Sequence, residues 1–192
     1  MTDDSIYQQA LAAFDISPKK NIWVFAYGSL MWNPEFPYRT VVPAHLCGYH
    51  RNFCLYSRVH RGTDENPGLV LGLDRGGSCK GVLFEIEHHH IEESLPQLWS
   101  REMNPKDLYK ARKLPVLAHG DLQQKIEACT FVANRQHPDY CRDKCRDMAS
   151  QRIKDAIGGR GPNIDYLRNT VTYLRDLKIH DPLLEDLLKR TE

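Results

Sequence analysis

The sequence predicts an α+β domain whose centre is mostly antiparallel strand and whose helices come late. Three observations carry that expectation. A leading segment has apolar residues at near-helical spacing, apolar stretches between residues 22 and 132 are parted by glycine-bearing turns, and a helical pattern runs from Pro138 to the end. In the leading segment Ile6, Ala10, Leu11, Ala13 and Phe14 mark the helix, which Ser17-Pro18 stops because proline drives the residue before it out of α backbone. Ile22-Trp23-Val24-Phe25-Ala26 is β-prone with almost no alternation, as in a strand buried on both faces, and it ends at Gly28. From His45 to Tyr56 a second strand is expected, and from Ser57 to Gly68 a basic, Gly/Pro-bearing mobile loop. Leu69 to Leu73 and Cys79 to Ile86 flank Asp74-Arg75-Gly76-Gly77-Ser78, whose glycines accept the positive φ of a hairpin turn. Ser94 with Gln97 fits a capping box, so a helix starts there with Pro96 in its first turn. Leu114 to Ala118 and Gln123 to Val132 form a second hairpin around His119-Gly120-Asp121. The late helices are broken only by Gly158-Gly159-Arg160-Gly161-Pro162 and Asp181-Pro182. Without repeats, low-complexity tracts or a parting linker, residues 1–192 read as one domain.

Composition excludes several functions. Hydrophobic residues at 41% and charged residues at 27% are too apolar a mixture for a disordered chain. The balance of 26 Lys+Arg against 25 Asp+Glu leaves a net charge of +1, with no excess positive field to hold nucleic acid. The longest apolar stretch, Ile22 to Trp32, is broken at Tyr27-Gly28-Ser29 and falls short of the roughly 18 residues that suggest a membrane span. An acidic N-terminus is unlike a signal peptide. Cys47, Cys54, Cys79, Cys129, Cys141 and Cys145 therefore read as reduced packing residues of a cytoplasmic protein.

Two places offer chemistry. Leu95, Leu98, Trp99 and Glu102 stand at i, i+3, i+4 and i+7, so the carboxylate falls on the apolar face while Arg101 points away. Desolvation there would raise its pKa toward that of a general base; the spacing alone equally allows a carboxylate that reaches solvent or pairs with Arg112. The turn Tyr27-Gly28-Ser29-Leu30 follows a buried strand, and its successive N–H groups can form a nest for carboxylate or oxyanion oxygens, or simply a tight turn. Ser29 lacks the flanking glycines of a nucleophile elbow, so a serine hydrolase is not supported. His137, Cys141 and Cys145 lie at i, i+4 and i+8 of an expected helix, but one helix rarely supplies three zinc ligands over two turns. His88-His89-His90 reads as a solvated turn whose neighbours point apart. The Gly158 to Pro162 loop follows no strand, so it reads as a helix cap and turn rather than a phosphate cradle. No metal or other cofactor is expected.

The order of motifs adds a resemblance. Trp23-Val24-Phe25-Ala26-Tyr27-Gly28-Ser29-Leu30-Met31-Trp32, then Asn66-Pro67-Gly68, Gly81-Val82, Trp99-Ser100-Arg101-Glu102-Met103, Pro138-Asp139-Tyr140 and Gly161-Pro162-Asn163-Ile164-Asp165-Tyr166-Leu167 resembles the ChaC family of glutathione-specific γ-glutamylcyclotransferases. The match covers about residues 21–180, after a leading helical segment over 1–20. It implies the γ-glutamylcyclotransferase-like fold, a small mixed β-barrel with flanking helices, and cleavage of glutathione to 5-oxoproline and cysteinylglycine. By motif position Glu102 is similar to the catalytic acid/base, Tyr27, Gly28, Ser29 and Leu30 to the loop that holds the γ-glutamyl group, and Tyr166 to a tyrosine near the substrate. Ala26 stands where many members have Gly, and the stretch from Glu102 to Tyr109 is longer than usual and lacks a glycine often found there. Arg58 and Arg61 could grip the glycine carboxylate of glutathione. Alternatives remain at this point: a cyclotransferase for γ-glutamylamines or γ-glutamyl amino acids, a non-catalytic ligand-binding or interaction module on the same fold, and a Cys/His zinc protein.

Overall fold

The computed structural model describes residues 3–103, 107–120, 122–142 and 145–192. Its longer strands are β1 (Ile22–Ala26), β2 (Thr40–Ser57), β3 (Gly68–Ile86), β4 (Tyr109–Ala118) and β5 (Lys125–Ala133). They close a barrel in the order β1-β3-β2-β4-β5, with a further pairing of β3 to β5. The helices are α1 (Asp3–Phe14), α2 (Ile91–Glu102), α3 (Arg146–Asp155), α4 (Asn163–Asp176) and α5 (Pro182–Thr191), and β6 (Ile157–Gly158) forms a small hairpin with β7 (Gly161–Pro162). The α+β barrel expectation holds. The residues pack as two compact units, Met1–His50 with Arg75–Asn134, and Arg51–Asp74 with Arg135–Glu192.

In the first unit β1 runs antiparallel to β3, from Ile22↔Ile86 to Ala26↔Val82, and meets β5 in parallel at Val24↔Cys129. A strand flanked on both edges and buried on both faces explains the unbroken apolar run, and the parallel contact makes the barrel mixed. Gly81 lies where a side chain would strike the Ala26 carbonyl, which accounts for a glycine at that point of β3. Phe14 at the end of α1 meets the rings of Trp99 and Phe131 edge-on, at 6.0 and 5.4 Å. The helix stops at Asp15, which takes φ +49° as Ile16 N–H donates back to the Leu11 carbonyl. β4 and β5 form the expected second hairpin, from Tyr109↔Ala133 to Leu117↔Lys125. Asp121 of its turn, like Met1 and Thr2 of the leading segment and Asn104 to Lys106 of the stretch after Glu102, lies outside the described residues.

The first predicted hairpin is corrected. Residues 74–78 do not turn the chain; β3 continues through them as one strand, with Gly76 and Gly77 at φ +101° and +67°. Positive-φ glycines serve a bulge as well as a turn, and here they stand inside a long strand beside β2, where His50 Nδ1 lies 2.9 Å from the Gly76 carbonyl. The reversal falls instead at residues 58–67, between β2 and β3.

In the second unit that loop, expected to be mobile, is tied down. Arg58 Nε donates to Asp139 at 2.7 Å, Arg61 Nη1 to the Arg160 carbonyl at 2.7 Å, and Asn66 Nδ2 to the Asp155 carbonyl at 3.1 Å. Asn163, fully buried, accepts from Leu69 N–H at 2.6 Å and donates to the Leu69 carbonyl at 2.8 Å, so an amide stands in for a strand partner. The expected helix after Pro138 begins only at Arg146. Tyr140 is held extended by a bridge to Leu55, and its hydroxyl donates to buried Asp74 at 2.9 Å. His137, Cys141 and Cys145 therefore share no helix face. Asp181 caps α5 by accepting from Leu184 N–H, and also from buried Arg51 at 2.7 Å. Among the described residues no helix is long and apolar enough to cross a membrane.

Candidate functional site

The helix carrying Glu102 begins earlier than its sequence predicts. α2 grows from a three-ten turn over His88–His90, so Ser94 is not its cap. Ser94 is buried inside the helix, and its Oγ meets no hydrogen-bond partner among the described residues. Pro96 consequently sits in the second turn and cannot answer the Glu92 carbonyl. The face itself is as expected. Ile91, Leu95 and Leu98 are buried, and Glu102 closes the same stripe with its side chain 16% exposed.

Burial pushes the Glu102 carboxyl up to about 7. The Arg101 guanidinium, with Nε 3.2 Å from Glu102 Oε1, pulls against that rise, and the charge of Glu35 adds to it. A carboxyl balanced near neutrality can both take and return a proton. Among the described residues the ion pair of Glu102 is with Arg101, whereas Arg112 Nη1 donates to the Ala111 carbonyl at 2.9 Å.

At the end of β1, Ser29–Met31 form a three-ten turn. Met31 N–H donates to the Gly28 carbonyl at 2.9 Å and Asn33 N–H to the Ser29 carbonyl at 3.0 Å. The Ser29 and Leu30 N–H groups stand at the start of the turn, where such a helix makes no internal bond. The side chains of Tyr27 and Leu30 are buried at 7% and 6% exposure, so the turn offers main chain to a ligand.

Arg101 joins the two features. It does not point away: Nη2 donates to Ser29 Oγ at 3.0 Å, while Nη1 donates to the Asn33 carbonyl at 2.6 Å and to Glu35 Oε2 at 2.7 Å. Periodicity misses it because neighbours on a helix diverge, yet an arginine at the last turn is long enough to fold back across the end. The available signal was a cation beside the one anomalous carboxylate.

Tyr166 belongs to the second unit, on α4. It packs edge-on against Phe53 at 5.6 Å, with the Arg61 guanidinium 5.3 Å from its ring centroid. Arg58 is committed to Asp139 and Asp64. The structure thus brings Glu102 and residues 27–30 into one place within the first unit, while Tyr166 is described with Phe53 and Arg61 in the second.

For metal, the three-ten turn does what strand geometry would not. Donor atoms of Glu87, His89 and His90 all lie within 4.8 Å of one another, a set that could hold an ion. The six cysteines are thiols, four of them buried, and burial pushes Cys129 up to about 12 and Cys54 higher still, which suits packing rather than chemistry.

A family model described as ChaC-like protein matches residues 22–192. The glutathione-specific gamma-glutamylcyclotransferase of Escherichia coli (strain K12) is 35% identical over 169 residues, covering 87% of this chain and 71% of that protein. The Schizosaccharomyces pombe enzyme of the same name is 33% identical over 181 residues, 84% of this chain and 87% of its own. In fold, the chain is similar to the crystal structure of a glutathione-specific gamma-glutamyl cyclotransferase from yeast, at TM-score 0.80 and 22% identity, covering 90% of this chain and 96% of that one.

Proposed function

The chain belongs to the ChaC-like family, and from that premise we propose that it cleaves glutathione to 5-oxoproline and cysteinylglycine with Glu102 as its single acid/base. It is a γ-glutamylcyclotransferase, a lyase acting on glutathione. The observation that carries the role of Glu102 is a carboxylate on an apolar helix face, near neutral in pKa and tied by Arg101 to a turn that offers main-chain N–H groups.

The substrate's α-amine attacks its own γ-carbonyl carbon, and the bond to the cysteinyl nitrogen breaks as the five-membered ring closes. Because the reaction is intramolecular, the protein's tasks are to fold the substrate and move protons. Glu102 takes a proton from the α-ammonium so that the amine can attack, returns it to the departing nitrogen, and then takes the second proton that the ring nitrogen sheds as the lactam forms, which the released amine carries away as its ammonium. N–H groups of the 28–30 turn hold the γ-glutamyl group and the developing oxyanion. No water is consumed. Tyr166 enters this reading through its motif alone. The near-zero net charge supports a small-molecule partner rather than nucleic acid, and buried thiol cysteines support a cytoplasmic setting.

Incubating the pure protein with reduced glutathione and detecting 5-oxoproline by mass tests the reaction. Turnover of simple γ-glutamyl amino acids should be far lower; equal efficiency on both would move the assignment to a general γ-glutamyl cyclotransferase. Exhaustive chelation should leave turnover unchanged, because no step uses a metal and Glu87, His89 and His90 are not part of the proposed machinery. Activity lost to a chelator and restored by zinc would overturn the cofactor-free mechanism.

A further inference from the structure

The proposed reaction uses the Glu102 carboxylate on α2 and the main chain of a remote turn, whose Ser29 stands 72 positions before Arg101. Neither is placed by its own element alone. The helix ends at Glu102, and Glu35 on the chain leaving the turn takes φ +57°, an unfavourable conformation for a side chain larger than glycine. One guanidinium meets both. Its Nε faces Glu102, its Nη2 the Ser29 hydroxyl, and its Nη1 the Asn33 carbonyl and Glu35, which also accepts from Asn33 Nδ2 at 2.8 Å.

We propose that Arg101 is a positioning residue for this reaction: its planar fork clamps the substrate turn onto the end of α2 and supplies the positive charge that Glu102 faces. The proposal rests on the reading of Glu102 as the base. A lysine ammonium could supply the charge, but a single nitrogen cannot span acceptors on Ser29, Asn33, Glu35 and Glu102 in one plane. The electrostatics point the same way. The charged groups acting on Glu102 are Arg101 on its own helix, which lowers its pKa, and Glu35 beside the turn, which raises it. With Arg101 neutralised, the pull that lowers Glu102 is gone while the charge of Glu35 still raises it, and the base would hold its proton to higher pH.

The test is the pH profile of kcat/KM for glutathione in wild type, R101Q, R101K and E102Q, each with a thermal melt. In wild type the acid limb should lie near pH 7, where Glu102 titrates. In R101Q the limb should move up by about one pH unit, with kcat/KM at neutral pH down about tenfold or more and KM raised. R101K should keep the limb near its wild-type position but share the raised KM. A folded R101Q whose limb or KM stays at the wild-type value overturns the proposal. If R101Q does not fold, R101K decides alone: a wild-type KM overturns the clamp, and a raised KM with an unmoved limb upholds it. E102Q separates the two readings. Should it be inactive while R101Q titrates like wild type, only the role of Arg101 falls; should it keep wild-type turnover and profile, the base assignment falls and the positioning role with it.

Discussion

Glu102→Gln is expected to cut turnover on glutathione by about a hundred- to ten-thousand-fold while leaving a folded protein. Gln keeps the shape and hydrogen-bonding capacity of the side chain but cannot accept a proton. The melt should move in the opposite sense to activity. With a carboxyl raised from its usual 4.5 to about 7, the fold disfavours the ionised form. The contribution of Glu102 to stability is therefore complete below about pH 4.5 and is lost as pH rises through 7. At about pH 8 the Gln variant should melt at or above wild type, and the difference should close in acid. A variant that melts like wild type at every pH and retains a third or more of the turnover would sink the assignment.

Leu95→Ala, on the same face about two turns earlier, should do the reverse. Leu95 is fully buried, and its truncation leaves a cavity costing roughly 2–5 kcal/mol. In a chain of this size each kcal/mol lowers the melting temperature by about 2–4 °C. Turnover per folded molecule should stay near wild type well below the melt. Calorimetry beside an activity assay at low temperature checks it, and a lost activity with an unmoved melt would show that the face serves chemistry where we assign packing.

What the sequence revealed, and what it hid, follows from how far each signal reaches along the chain. The apolar run of β1 and the stripe ending at Glu102 are written in residues a few positions apart, so strand, helix and the anomalous carboxylate were legible. The path of β3 was not: Gly76 and Gly77 permit a turn and a bulge equally, and only the long partner strand β2 decides between them. The delayed start of α3 has the same origin, since Tyr140 is held extended by Leu55 and Asp74, both remote in sequence. At the site, the 27–30 turn and Glu102 are each visible in the sequence, but the guanidinium that joins them is not, because spacing directs Arg101 away from the apolar face. A helical wheel records where a side chain starts, and an arginine's reach carries it around the end of the helix.

The parallel contact of β1 with β5 also sets the order in which the protein can become active. Thr130 Oγ1 donates to the Phe25 carbonyl across 105 residues of chain, and Val24 finds Cys129 beside it. Such distant pairings form only after a large loss of chain freedom, which places barrel closure late in folding. During synthesis the Ser29 turn leaves the ribosome long before Arg101 and Glu102 exist, and β1 lacks one edge until β5 follows them. The nascent chain consequently passes through a stage in which its most apolar strand is made but only half paired, and the interval before β5 arrives is when this protein is most exposed to aggregation.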